Sequence, residues 1–271
     1  MVGEVPADAT ALLWGYEANH PFAEQCARLA AAKRKFWVCP GTSAWNTFTG
    51  RTDNMLANIE RAAKHGRAHG AEGLLLTSWG DGGNHQPWPV MYPGIAYAAG
   101  LAWNQKGTKR PNLARAVNLS FSQSIESHYG EILLELGRVE NVIKHPKPNR
   151  SRHFNLFFAT RKEMKAELST LTAAELKKVL AALAKVRMKL SERGEKYLWE
   201  YGALNELATG TDMAALAIQR AILTKGGKST KPLRNVLPDL IEQFMNAWAN
   251  RAREGGLRDS AGRMATVNGK L

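Results

Sequence analysis

Three short apolar runs in the N-terminal part of the chain each end abruptly in aromatic and polar residues. Ala11-Leu12-Leu13-Trp14 leads into Gly15-Tyr16-Glu17, and Phe36-Trp37-Val38-Cys39 into Pro40-Gly41-Thr42-Ser43-Ala44-Trp45-Asn46. Gly73-Leu74-Leu75-Leu76-Thr77-Ser78 leads into Trp79-Gly80-Asp81-Gly82-Gly83. Such runs read as buried parallel strands, near 10–16, 36–40 and 73–78, whose C-terminal ends open into a binding site. Between them the period changes to that of a helix. One helix is expected near 20–33. A second is capped by Thr52 or Asp53, shows Met55, Leu56, Ile59, Ala62 and Ala63 on one face, and stops at Gly70. A third is expected near 93–103. This alternation predicts an α/β fold with parallel strands.

From about residue 111 the strand signal vanishes. Thr172-Ala173-Ala174-Glu175 is a capping box, followed by Leu176, Val179, Leu180, Leu183, Val186 and Leu190 at helical spacing. Ile132–Val139 opens the helical series, and further helices are expected near 195–208, 212–223 and 237–253. The stretch His145–Arg150 reads as a break, and the tail from Gly255 as frayed and polar. The expected organisation is therefore an α/β part over 1–110 and an all-α domain over 111–271. Three β/α units do not close a (β/α)8 barrel, which takes eight strands. An open three-stranded sheet also leaves two edges and one uncovered face. The expected architecture is a partial barrel, about its last three units, in a chain that continues a longer fold.

Composition narrows the class. No apolar run approaches the roughly 20 residues of a membrane helix, and Met1–Pro6 has neither the basic nor the apolar region of a secretion signal. Cys26 and Cys39 are the only cysteines, too few for a disulfide framework or a zinc finger, and both read as reduced small hydrophobes. The net charge of +13 is uneven. Residues 1–110 hold 11 Lys and Arg against 8 Asp and Glu, and residues 111–271 hold 26 against 16. Lys177, Lys178, Lys185, Arg187, Lys189, Lys225, Lys228 and Lys231 could form a nucleic-acid stripe. Glu175, Glu192 and Glu195 intersperse it and no recognition motif accompanies it, so a solvated face is expected instead.

Candidate chemistry gathers at the strand ends. Trp79 offers a flat apolar face to a pyranose ring, and Asp81 can accept hydrogen bonds from its hydroxyls. The same pattern also fits a core Trp beside an Asp-Gly turn. Tyr16 and Glu17, with His20, form a second cluster. There Glu17 could act as acid, base or hydroxyl acceptor, or pair near the start of the next helix. Trp45 and Asn46 form a third, Trp45 being equally able to pack beneath its own loop. His85 lies in the loop after the third run, where it could line a rim. Asp53 reads as a helix cap. His65 and His69 have metal-ligand spacing but no His-Glu-x-x-His pattern, so no metal is expected. Nucleophile elbow, phosphate loop and dinucleotide fingerprint are absent.

The segments Trp37–Asn46, Gly50–Asn58 and Leu76–Gly94 together resemble the later barrel strands of bacterial family 20 glycoside hydrolases, the β-N-acetylhexosaminidase group. The sequence from Trp248 through Asn250-Arg251 and Gly255-Gly256-Leu257 to Asp259-Ser260 is similar to the helical C-terminal region of that group. The resemblance is strongest over about 11–104. It implies a (β/α)8 barrel that removes terminal β-linked N-acetylhexosamine by substrate assistance, the acetamide oxygen of the sugar attacking the anomeric carbon. A Glu serves as general acid and a preceding Asp orients the acetamide. No adjacent Asp-Glu occurs in this sequence, so the resemblance places that pair upstream of Met1 and assigns no catalytic residue here. By the same resemblance Trp79 packs against the terminal sugar, and Asp81 stands where the family more often has Glu. Tyr16 and Trp45 become pocket-wall or acetamide contacts.

The resulting expectation is a glycosidase fragment that binds an amino sugar through Trp79, Asp81, Trp45, Tyr16, Glu17, Asn46 and His85. No cofactor, metal, nucleic acid or membrane partner is expected. Its rivals are a non-catalytic carbohydrate-binding protein and a basic helical interaction module.

Overall fold

The computed structural model describes residues 6, 8–104, 106, 108–122, 127–196 and 201–271, with the side chains of all but 194–196 and 201. The absence of a secretion signal was read from residues that lie almost wholly outside these. The chain is α/β and mostly helical, with one small parallel sheet. Strands β1 (Ala11–Trp14), β2 (Phe36–Cys39) and β3 (Gly73–Leu74) lie side by side in that order, with Leu13 opposite Val38 and Val38 opposite Leu74. Helix α1 (Phe22–Ala31) joins β1 to β2, and α2 (Thr52–Ala68) joins β2 to β3. Among the described residues no strand follows β3.

The period of two along β1 decides what the sheet buries. Leu13, Phe36, Val38 and Leu74 pack with Phe22 and Cys26 of α1 and Ala62 of α2. Their neighbours Leu12, Trp14, Trp37 and Leu75 are exposed, so one face is covered by helices and the other is an open apolar surface. The third strand is shorter than the apolar run that predicted it. Leu75 N–H still donates to the Val38 carbonyl (3.0 Å) and Thr77 N–H to that of Pro40 (2.9 Å), but only a single bridge, Gly41 to Thr77, continues the pairing. Pro40 has no N–H to give, which interrupts the ladder. Helix α2 begins at Thr52, so Asp53 sits in its first turn, where a carboxylate suits the positive end of the helix dipole.

The chain divides into two compact units that are interleaved in sequence rather than separated near residue 110. The first comprises Met1–Ser43, Thr52–Ser78 and Met91–Gly130, and the second Ala44–Arg51, Trp79–Val90 and Glu131–Leu271. The loops that follow β2 and β3 thus belong with the C-terminal helices. In the first unit α3 (Tyr92–Trp103) packs on α2, and α4 (Leu113–Phe121) on α3, where Tyr92 and Phe121 stack at 4.2 Å. After α5 (Tyr129–Leu136) come α6 (Arg152–Phe158), α7 (Arg161–Leu168) and α8 (Ala173–Lys196). They are followed by α9 (Tyr201–Lys225), α10 (Leu237–Ala249) and α11 (Leu257–Ala265). Helix α9 is the centre of the second unit, with α6, α8 and α10 packed on it and α11 on α10.

Helix α8 follows its sequence closely. Leu176, Val179, Leu183, Val186 and Leu190 are buried, and the capping box is formed. The Thr172 hydroxyl accepts from Glu175 N–H at 3.1 Å, while the Glu175 carboxylate accepts from Thr172 N–H at 2.8 Å. A hydrogen bond from Lys144 N–H, followed by those from the Thr172 hydroxyl and N–H, holds the Glu175 carboxyl down at about 2. Replacing Thr172 with Ala is expected to lower stability by about 1 kcal/mol, read as a fall in the urea midpoint at unchanged slope. Both cysteines are buried and unbridged, and burial pushes the Cys26 thiol up to about 11, consistent with inert packing residues.

Two expectations fail in this unit. The helices predicted near 195–208 and 212–223 run together from Tyr201 as one helix, α9, while 195–196 belong to α8. The tail expected to fray contains α11, which buries Ser260, Ala261 and Met264.

Candidate functional site

Two asparagines one helical turn apart on α2 organise the ends of β1 and β2. Asn58 is fully buried. Its amide donates to the carbonyls of Gly15 and Glu17, both at 2.9 Å, and its oxygen accepts from Gly41 N–H at 3.0 Å. Asn54 donates to the Tyr16 carbonyl and the Ser43 hydroxyl, both at 2.8 Å, and accepts from Ala18 N–H at 2.9 Å. Backbone that leaves a sheet must find partners elsewhere, and these side chains supply them. Sequence reading assigned neither residue a role. Their i, i+4 spacing on a helix that follows a strand was the available signal. Tyr16, so positioned, stacks on the exposed Trp14 with centroids 5.5 Å apart, and Tyr16 and Glu17 are half-buried.

The remaining candidates lie in the second unit. Trp79 is 49% exposed, and its carbonyl accepts from the Gln86 amide at 2.7 Å, which also donates to Asn84 Oδ1 at 2.9 Å. Asn84 N–H returns to the Gly80 carbonyl at 2.9 Å, closing a turn with Asp81 exposed at its tip. Gly82, at φ +70°, is favoured because the backbone is left-handed there, and the terminal Nη1 of Arg263 occupies the space that a Cβ would enter.

Trp45 and His85 do not meet solvent, which corrects their expected role in holding a sugar. Trp45 is buried and donates from Nε1 to Asn149 Oδ1 at 2.7 Å. His85 is buried among Phe154, Phe158 and Phe244, with Nε2 donating to the Ser260 carbonyl at 2.9 Å. Burial, assisted by the nearby Arg263 charge, brings its pKa down to about 4. Both are core residues that fix their loops, for a ring's chemistry does not reveal which side of it faces water. The loop carrying Asn46 is pinned in the same way. Phe48 N–H donates to His153 Nε2 at 3.0 Å, and the Glu140 carboxylate lies 2.6 Å from Nδ1 of that ring. Burial pushes the Glu140 carboxyl up, but His153 and the N–H groups of Arg152 and His153 bring it below the usual range.

Asn46 and Asp81 come together in an open cleft of about 630 Å³, floored by Phe154 and Phe158 and walled by residues of α6, α7, α11 and the C-terminal turn. This is within the range of small-molecule sites. Its two glutamates are committed to the fold. Glu167 is paired with the buried Arg152 and accepts from the Asn155 amide at 3.0 Å. Glu163 closes a capping box with Thr160.

Among the described residues no group of three or more His, Cys, Asp or Glu is arranged to hold a metal, and no helix is long and apolar enough to cross a membrane. Part of the basic stripe is neutralised within the fold: Lys185 and Lys189 pair with Glu135, and Arg187 with Asp212. The chain matches no protein-family model and no curated protein.

Proposed function

We propose that the chain is a carbohydrate-binding part of a family 20-like glycoside hydrolase. Its strand-end loops would hold a terminal β-linked N-acetylhexosamine, and it would carry no acid–base pair of its own. The observation that supports this best is Trp79, a large indole left half exposed beside Asp81 on a glycine turn that directly follows a parallel strand segment. An exposed indole offers area for the C–H face of a pyranose, and a carboxylate two residues on offers hydroxyl acceptors. The sheet agrees with a barrel origin. Its helix-free face carries Leu12, Trp14, Trp37 and Leu75, side chains of the kind that fill a barrel interior. Asn46 shares the cleft with Asp81 and can both donate to and accept from one sugar group.

Calorimetric titration of the full chain with N-acetylglucosamine tests the reading. Saturable binding is expected, weakened about tenfold in Trp79→Ala and in Asp81→Asn, about 1.4 kcal/mol for each. A nitrophenyl N-acetyl-β-glucosaminide should not be turned over, since loss of a general acid alone costs about 10²–10⁴-fold. Folded protein that binds no sugar, or binds it equally in both variants, would overturn the reading.

A further inference from the structure

The cleft floored by Phe154 and Phe158 has a second chemistry, which rests on its cations and does not depend on the sugar reading. Arg263 of α11 lays its guanidinium over the Phe158 ring at 4.1 Å and within 5.6 Å of Phe154. Its Nη1 is shut off from solvent and makes no hydrogen bond, and among the described residues no carboxylate lies within ion-pair distance of it. Arg263 as a whole is part-buried, and its sealed Nη1 is unusual, because an N–H taken out of water normally finds an acceptor. Lys270 stands on the same wall. Its ammonium donates to the Phe158 carbonyl at 2.9 Å, which leaves further N–H donors. Arg150, exposed at the rim, touches Asn155 Oδ1 at 3.4 Å.

The surroundings neutralise this group only in part, since Glu163, Glu167 and Asp81 line the same cleft. Arg220, buried behind Lys270, spends its donors on carbonyl oxygens and meets no acid. Burial and the Arg220 and Arg263 charges lower Lys270, Glu163 being the carboxylate that acts against them. With Glu163 and Glu167 held by their own partners, though still charged, Asp81 is the uncommitted carboxylate among the described residues that line the cleft with Arg150, Arg263 and Lys270.

We infer that this cleft binds the oxyanion group of a small ligand, a carboxylate or a tetrahedral sulfate or phosphate, through Arg263 and Lys270. The part-exposed edge of the Arg263 guanidinium, the side away from the sealed Nη1, would be the donor, with Lys270 as a point charge beside it. The cleft is larger than a bare oxyanion, so the remainder of the ligand would lie along Phe154 and Asn46.

The test is isothermal titration of the full chain with inorganic phosphate, sulfate and acetate in turn, at ionic strength held constant with sodium chloride. Saturable binding of at least one is expected, and comparison of acetate with the two tetrahedral ions separates the sources. Arg263→Gln should weaken it about tenfold or more, as loss of a charge-assisted donor does. Lys270→Met, close to the surface, should weaken it severalfold and decides the matter if the Arg263 variant does not fold. Neutral N-acetylglucosamine, titrated in the same series, should respond little to either change, so failure here and failure of the sugar reading are told apart. Folded wild-type protein that binds none of the three ions overturns the inference, as does ion binding that survives Arg263→Gln or Lys270→Met unchanged.

Discussion

Replacing Arg220 with Met is expected to destabilise the protein by about 3–4 kcal/mol, among the largest effects of any single side chain outside the apolar core. Arg220 is a buried residue of α9 whose guanidinium caps the end of α6. Nη1 donates to the carbonyls of Leu156 (2.9 Å) and Phe157 (3.0 Å), and Nη2 to those of Ala159 (2.8 Å) and Lys270 (3.1 Å). The last carbonyls of a helix have no partners within it, and a cation suits that negative end. Met fills much of the same space but gives those buried oxygens no donor. A hydrogen bond from a charged group contributes about 1.5–3 kcal/mol, and an acceptor orphaned in the interior costs about 1–3 kcal/mol. Against this stands the desolvation of the guanidinium, the effect that lowers its pKa and that Met would relieve. The balance stays well on the side of loss because four carbonyls depend on one fork. Arg220→Lys should recover only part of it, since a single ammonium cannot reach acceptors on two sides. Urea unfolding of the three proteins measures this directly. A loss under about 1 kcal/mol in Arg220→Met would mean that desolvation cancels the bonds.

How much of this was legible in the sequence depends on whether a residue acts locally or through distant partners. Helix α8 was legible because its signals are local: the Thr172–Glu175 cap and the spacing of Leu176, Val179 and Leu183 describe one helix by themselves. Strands β1 and β2 were legible for the same reason. The break expected near Gly210 was not real, and its cause lies elsewhere in the chain. A Cβ at Gly210 would come within 2.7 Å of the Phe48 carbonyl and 2.5 Å of Pro87, so the glycine admits two loops against α9. Thr209 and Thr211 turn their hydroxyls back onto the carbonyls of Asn205 and Leu207, which lets them sit within the helix. Helix α11 was missed because its polar composition hides a narrow buried stripe, Ser260, Ala261 and Met264.

The candidate site divides along the same line. That the loops after β2 and β3 carry distinctive side chains was visible. That Trp45 and His85 turn inward while Trp79 and Asp81 turn outward was not, because it depends on Asn149, Ser260 and a cluster of phenylalanines far along the chain. Arg263, the unpaired cation of the cleft, carried no signal at all. Nothing near it in sequence distinguishes it from the many solvated arginines of this basic protein.

The inward turn of His85 has a measurable consequence in acid. Its folded-state pKa of about 4 lies below the ordinary value of 6.5 for the unfolded chain. Above about pH 6.5 the ring is neutral in both states and contributes no pH dependence. As pH falls from there toward 4, the unfolded chain takes up a proton that the folded one refuses, so stability is lost across that window. The loss approaches about 3 kcal/mol near pH 4, at 1.36 kcal/mol per unit of pKa difference. The geometry gives the reason for the refusal: Nε2–H already donates to the Ser260 carbonyl, and a proton on Nδ1 would place a charge among three phenylalanines beside Arg263. Glu206, whose carboxyl burial raises despite Arg251, works in the opposite direction, while Glu175 and Glu140, held low, add to the loss in acid, so the total slope is not that of His85 alone. The variant His85→Gln isolates that contribution, because its amide can still donate to Ser260 but does not titrate. Urea midpoints at a series of pH values between about 7 and 4 should show the wild type losing more stability than the variant. Parallel curves for the two proteins would mean that His85 takes up its proton in the folded state, and that the aromatic pocket around it opens readily to water.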